Sequence, residues 1–265
     1  TSHDATAYGT NLINKILVQS RFSFPKSLYA VHDTINFAVS NKPNALIVDF
    51  FAGSGTTLHA VNLLNAEDGG RRRCIMVTNN EVSADEAKML KDKGYQPGDA
   101  EWEKLGIAHY VTWPRTVCSI EGHDVNGNPL KGDYLGSEPL MHMADGFKAN
   151  AAFFKLSFLD STAVSLGMRF SEMLPTLWLK AGAKGKCPEL SSEQIPDMLI
   201  LPENKFAVLI NENAFASFAE KLAEHPEVQT VFLATDYEVN YQSMVKNLNV
   251  TEAYQLYRDY LDHFR

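Results

Sequence analysis

Asp49, Gly53, Ser54, Gly55, Thr56 and Thr57 are the residues whose types and spacing can do chemistry. They follow an apolar run, Ala45 to Phe51, and lead straight into a segment of helical periodicity. A strand therefore passes through a two-glycine turn into a helix. Amides at such a turn point outward and hold anions, and the helix N-terminus adds positive potential. An acid at the strand's carboxyl end complements a positive group. The chemistry is that of holding a nucleotide-type ligand at the edge of a parallel sheet. No Ser/His/Asp or Cys/His nucleophile arrangement accompanies it.

Three ligand classes use a strand, a glycine turn and a helix. A nucleoside triphosphate loop needs a lysine just before its Ser/Thr, and here Gly55 is followed by Thr56 and Thr57. A dinucleotide fingerprint needs a third glycine for close helix–sheet packing, and Leu58 stands there. S-adenosylmethionine has no pyrophosphate and makes neither demand. Gly53 and Gly55 admit its methionine part closely, and the amides opening the helix suit its carboxylate. Asp49 suits its amino or sulfonium end. A plain tight turn with no ligand is the bland alternative, and a nicotinamide-dependent oxidoreductase is a competing one.

The elements that must position this turn are legible around it. Ser23-Phe24-Pro25 opens a helix carrying Leu28, Val31, Ile35 and Ala38 at helical spacing, with proline in its first turn. Ala45–Phe51 reads as a strand buried on both faces. Thr56–Asn65 reads as a helix ended near Gly69-Gly70, Arg73–Thr78 as a second buried strand, and Ala84–Lys93 as a further helix. This alternation predicts an α/β fold with a parallel sheet.

Beyond Gly94 the pattern weakens. Asp99–Leu105 predicts a short helix. Residues 107–120 are ambiguous, because Pro114 and the β-branched residues oppose the helical spacing of Ile107, Val111 and Cys118. Asn126-Gly127 predicts a hairpin tip. Phe153–Leu159 predicts a strand, and Asp160-Ser161-Thr162 the cap of a helix that Pro175 kinks or ends. Strands follow at Met198–Leu201, Phe206–Ile210 and Val228–Ala234. Helices are expected at Ala214–Glu224, Tyr241–Asn247 and Glu252–Phe264.

Composition bounds the function. The 265 residues are 45% hydrophobic and 21% charged, a globular balance. The net charge of −8 is not that of a general phosphate-coating protein. Arg71-Arg72-Arg73 reads first as a solvated loop and only secondarily as a phosphate contact. No apolar run is long enough to span a membrane. Three widely spaced cysteines, Cys74, Cys118 and Cys187, make neither a metal spacing nor a disulfide framework, so no metal is expected and a cytoplasmic setting fits.

The segment Asp49-Phe50-Phe51-Ala52-Gly53-Ser54-Gly55-Thr56-Thr57 resembles the cofactor motif of amino-methylating DNA methyltransferases. The adenine-specific modification enzymes of restriction–modification systems are the group it resembles most. Phe24-Pro25-Lys26-Ser27-Leu28 resembles the element that precedes this motif in their permuted order. Gly146-Phe147-Lys148 and Phe153-Phe154-Lys155-Leu156 resemble a strand region of the same enzymes. The resemblance covers residues 20–160. It implies a Rossmann-like methyltransferase sheet, partial here, in residues 1–160, followed by a smaller accessory α/β region in 161–265. It implies S-adenosylmethionine as cofactor, held by Asp49, Phe50, Phe51, Gly53, Ser54, Gly55 and Thr56 with Lys26 nearby. In this family the end of the second strand reaches the ribose. Here that means Glu81, or Thr78 or Asn79 by register; the alternative is a polar turn with Glu81 capping the next helix.

The chain also departs from the family. The catalytic motif is Asp/Asn-Pro-Pro followed by an aromatic that stacks on a flipped base. This chain has eleven prolines and no two are adjacent. Neither Ile195-Pro196-Asp197 nor Trp113-Pro114-Arg115 substitutes. The expectation is a fragment of a longer methyltransferase whose catalytic motif lies elsewhere, inactive by itself, with DNA and restriction or specificity subunits as partners. A non-catalytic DNA-recognition or assembly module is the alternative. Adenine against cytosine stays open. The strand Ala45–Phe51 is expected to leave an open edge.

Overall fold

A computed structural model describes residues 1–19, 22–137, 139–156, 160, 169–190 and 195–256. The chain divides into two compact units, Thr1–Phe153 and Phe154–Arg265.

In the first unit a π-helical turn, Thr6–Thr10, runs into helix α1 (Asn11–Leu17). Helix α2 (Leu28–Val39) follows, then strand β1 (Leu46–Asp49), helix α3 (Thr56–Asp68) and strand β2 (Arg73–Met76). Helices α4 (Ala84–Asp92) and α5 (Ala100–Glu103) come next. A second π-helical turn, Ala108–Thr112, then leads into α6 (Trp113–Glu121). Leu12, Ile13 and Ile16 of α1, Leu28 of α2, Ala60 and Leu63 of α3 and Cys118 of α6 share one buried core. The two strands are parallel, with Leu46 beside Arg73 and Asp49 beside Met76. Helix α3 makes the crossover that a parallel pair requires.

Several boundaries differ from the sequence reading. Helix α2 starts at Leu28 rather than at Pro25. The Ser27 side chain caps it, accepting from the Ala30 amide, while Phe24 takes a left-handed φ of 59°. Pro114 does not break α6; it sits in the first turn, where its missing amide costs nothing. Residues 146–156 form no strand. The Phe147 amide bonds to the Ile120 carbonyl at the end of α6, and the Phe147 ring packs on His59 and Tyr134, so the segment follows a helix. The expected double burial of β1 and β2 also fails within this unit: Leu46, Val48 and Ile75 are 44–50% exposed. Arg71 and Arg73 are exposed, whereas Arg72 is buried and paired bidentately with Asp68 at 2.8 and 2.9 Å.

The second unit has a four-stranded sheet in the order β3 (Met198–Leu201), β4 (Phe206–Leu209), β5 (Thr230–Ala234), β6 (Glu252–Leu256). The β3–β4 pair is antiparallel and the rest are parallel. Strands β4 and β5 are buried throughout, and their residues alternate between two cores. Phe206, Val208, Phe232 and Ala234 face helix α7 (Phe170–Lys180). Ala207, Leu209, Val231 and Leu233 face α8 (Phe215–Ala223) and α9 (Glu238–Lys246). Pro175 does not end α7, which continues to Lys180. The predicted helix at Glu252–Phe264 is, over Glu252–Leu256, a strand: pairing with β5 and burial of Gln255 and Leu256 override local preference. Residues 257–264 lie outside the described residues, as do 157–159 of the predicted strand and 161–168 of the predicted helix start.

Candidate functional site

The site is built where β1 gives way to α3. Asp49 ends the strand, and its carboxylate holds the turn. Its Oδ1 accepts from the Phe51 amide at 3.0 Å and its Oδ2 from the Thr57 hydroxyl at 2.6 Å. Gly53 and Gly55 have φ values of 51° and 75°, a region L side chains rarely adopt. The Gly55 amide donates to the Ala52 carbonyl at 2.8 Å and the Ala52 amide to the Val77 carbonyl at 3.2 Å, so the turn is anchored to itself and to the end of β2. Helix α3 begins directly after Gly55. Its first amides lack intrahelical partners and face outward with the positive end of the helix dipole.

Beneath the turn lies the start of α6. The Thr112 hydroxyl donates to the Gly53 carbonyl at 2.6 Å. Arg115 is fully buried, and its Nη1 donates to Thr56 Oγ1 at 2.8 Å, Ser54 Oγ at 3.1 Å and the Ser54 carbonyl at 3.2 Å. The two hydroxyls are 3.1 Å apart and share a hydrogen bond. Nε and Nη2 of Arg115 have no hydrogen-bond partner among the described residues. Burial lowers its pKa to about 10, against a small upward pull from Tyr134, so the guanidinium stays charged at neutral pH. His59, one turn into α3, is held well below the usual histidine range by burial and then by the Arg115 charge. It is neutral, with Nε2 2.9 Å from the Tyr134 hydroxyl.

The turn opens beside a cleft of about 1030 Å³ lined by the segment before α2, one face of α2 and the end of β1. This cleft brings Lys26 together with Asp49, Phe50 and Phe51. Phe51 is 91% exposed and Phe24, also on the cleft wall, equally so. Large apolar rings left this open are unusual on a finished surface and suit contact with a flat ligand. Ser54 and Thr56 are buried and turn their hydroxyls to Arg115 rather than outward. A ligand at this turn would therefore meet backbone amides. The cleft's size suits a nucleoside-sized ligand; Asp49, Phe50, Phe51 and Thr57 line it, whereas Gly53, Ser54, Gly55 and Thr56 do not.

The second strand end is arranged differently. Thr78 and Glu81 do not line the cleft. The Thr78 hydroxyl donates to the Asn79 carbonyl at 3.0 Å. Glu81 is exposed and does not cap α4; Ser83 does, accepting from the Glu86 amide and donating to the Glu86 carboxylate. Asn80 is the structural residue here. Its Oδ1 accepts from the Ala108 amide at 3.0 Å and its Nδ2 donates to the Glu103 carbonyl at 2.8 Å, tying the segment after β2 to the end of α5 and to the π-helical turn before α6. Arg115, Thr112 and Asn80 were not found by sequence reasoning. A lone arginine carries no signal of burial, and the segment holding it had mixed periodicity.

Cys74 and Cys118 are no nucleophiles. Burial pushes Cys74 to about 12, with the Asp49 charge adding to it, and Cys118 to about 11. No group of three or more potential metal ligands exists among the described residues. No helix among them is long and apolar enough to cross a membrane.

Comparison with known proteins points to methyltransferases of restriction–modification systems. No protein-family model matches the chain. A type II methyltransferase of Klebsiella pneumoniae, M.KpnI, is 48% identical over 75 residues, 28% of this chain and 18% of that protein. The Mod subunit of the type III restriction-modification enzyme EcoPI of Escherichia phage P1 is 36% identical over 78 residues, 29% of this chain and 12% of that subunit. The Mod subunit of the StyLTI enzyme of Salmonella typhimurium is 38% identical over 78 residues, with the same shares. The chain thus matches less than a fifth of the length of each relative. Over more than a quarter of its own length it resembles the methyltransferases of restriction–modification systems.

Proposed function

We propose that this chain is the cofactor-holding part of an S-adenosylmethionine-dependent DNA methyltransferase of a restriction–modification system, directed at the exocyclic amine of adenine. The observation that carries the proposal is the pairing of two independent facts. A stretch of the chain is 48% identical to a named methyltransferase, and the Lys26 element and the Asp49–Phe51 strand end line one cleft.

Bound S-adenosylmethionine supplies an electrophilic methyl group on a sulfonium. The chain's own residues hold and orient it. Asp49 faces the positive end, the amides after Gly55 take the carboxylate, and Phe50 and Phe51 wall the site. Lys26 lines the same cleft. Thr78 or Glu81 reaches the ribose in this reading. The first unit is then the cofactor half of a Rossmann-like sheet, with the accessory region following it. The half-open face of β1 and β2 is covered by further residues of a longer polypeptide, which also bring the Pro-Pro-aromatic motif. Methyl transfer depends on a positioned nucleophile, so this chain alone is inactive. DNA and restriction or specificity subunits are partners of the complete protein, in the cytoplasm.

Calorimetry on the 265-residue chain tests the reading. Heat of binding with S-adenosylmethionine and none with NAD is expected, and Gly55→Asp should abolish it. Binding of NAD instead, or binding that survives Gly55→Asp, would assign the turn to another ligand or to none.

A further inference from the structure

Arg115 is a buried cation without an anion. No Asp or Glu among the described residues acts on it; Tyr134 is the titratable group that does. Burying an unpaired guanidinium is costly, and an arginine so placed is ordinarily matched by a carboxylate. Here one nitrogen supports the turn from below and two have no hydrogen-bond partner among the described residues. The charge sits against the first residue of a 13-residue helix, so guanidinium and helix dipole add to one positive potential on the far side of the turn. It also fixes the turn mechanically. Ser54 and Thr56 flank Gly55, and both hydroxyls accept from the same Nη1. One hydroxyl also donates to the other, and the three bonds together hold both side chains toward Arg115.

We propose that Arg115 is a positioning and specificity residue of the site: it presets the Gly53–Gly55 turn and supplies the charge that selects ligands carrying a carboxylate. This rests on the ligand reading above, and it adds a group that touches no ligand. The missing counter-anion is supplied from outside, through the turn. A carboxylate over the α3 amides completes the pair, and a ligand without one leaves it incomplete.

The test compares two thioethers on the intact chain by calorimetry. One is S-adenosylhomocysteine; the other is its decarboxylated form, which keeps the amine and the nucleoside. Wild type should prefer the first by about tenfold, near 1.4 kcal/mol. Arg115→Gln should bring that preference to within about twofold by weakening the carboxylate ligand alone. Arg115→Lys, which keeps the charge, should retain most of it. A purely structural arginine predicts equal weakening of both ligands, and that result, or an unchanged preference in Arg115→Gln, overturns the proposal. Should Arg115→Gln fail to fold by circular dichroism, Arg115→Lys decides: a retained preference supports the assignment and a lost one overturns it. Wild type binding neither thioether sinks the ligand reading itself, and this inference with it.

Discussion

The Thr57 hydroxyl donates to Asp49 Oδ2 at 2.6 Å, linking the strand end to the first turn of α3 eight positions further along the chain. With the Phe51 amide on Oδ1, the carboxylate clasps the turn at both ends. A charge-assisted bond of this kind contributes about 1.5–3 kcal/mol. Asp49→Ala should cost about 2 kcal/mol, and Thr57→Val about 1 kcal/mol. Because both changes remove the same bond, the double variant should fall short of their sum by about 1 kcal/mol. Urea denaturation of the four proteins measures this, and strict additivity would show that the contact carries no stability.

Gly55 and Gly69 share a left-handed backbone, at φ 75° and 72°, but differ in surroundings. A Cβ on Gly55 would lie 3.2 Å from Thr112 Cγ2, while one on Gly69 meets nothing within 4 Å. Gly69→Ala should therefore cost about 1 kcal/mol, from backbone strain alone. Gly55→Ala should cost more, by the displacement of the Thr112 side chain that also supports the Gly53 carbonyl. Equal losses for the two would mean that α6 yields freely beneath the turn.

Two buried histidines make opposite contributions to stability against pH. The His32 pKa is raised, first by its hydrogen bond to Glu67 at 2.8 Å and then by that to Asp33. Its contribution is full below the unfolded value of about 6.5 and is lost as pH rises through the folded value. The His59 pKa is depressed, so its contribution is full above about 6.5 and is lost as pH falls below it. The stability difference between wild type and His32→Asn should shrink as pH climbs from about 6 to about 8. Denaturant midpoints across that range check it, and a difference that grows with pH would contradict the assignment.

What could be read in the sequence follows from where the determining forces are local. The β1–turn–α3–β2 order was legible because an apolar run, two glycines and a helical period are signals carried by adjacent residues. The cap of α2 was misplaced because Ser23 and Ser27 are both competent by residue type; the structure uses Ser27. The strand Glu252–Leu256 was misread because its partner, β5, lies beyond an intervening helix, so the pairing leaves no mark on adjacent residues. The turn itself was readable from Asp49, Gly53 and Gly55. Its underside was not, since nothing in Trp113-Pro114-Arg115 announces a buried guanidinium. The inward turn of Ser54 and Thr56 is likewise invisible until α6 is placed below them.

The central claim is that the β1–α3 turn holds S-adenosylmethionine, and an amide-resolved NMR titration of the chain with S-adenosylhomocysteine tests it most directly. Saturable shifts are predicted at Phe51, Gly53, Gly55 and Thr57 and at Lys26, which lines the same cleft, with the amides of β3–β6 unmoved. A folded chain whose Gly53 and Gly55 amides stay in place at saturating ligand, or whose shifts fall on β3–β6 instead, would contradict it.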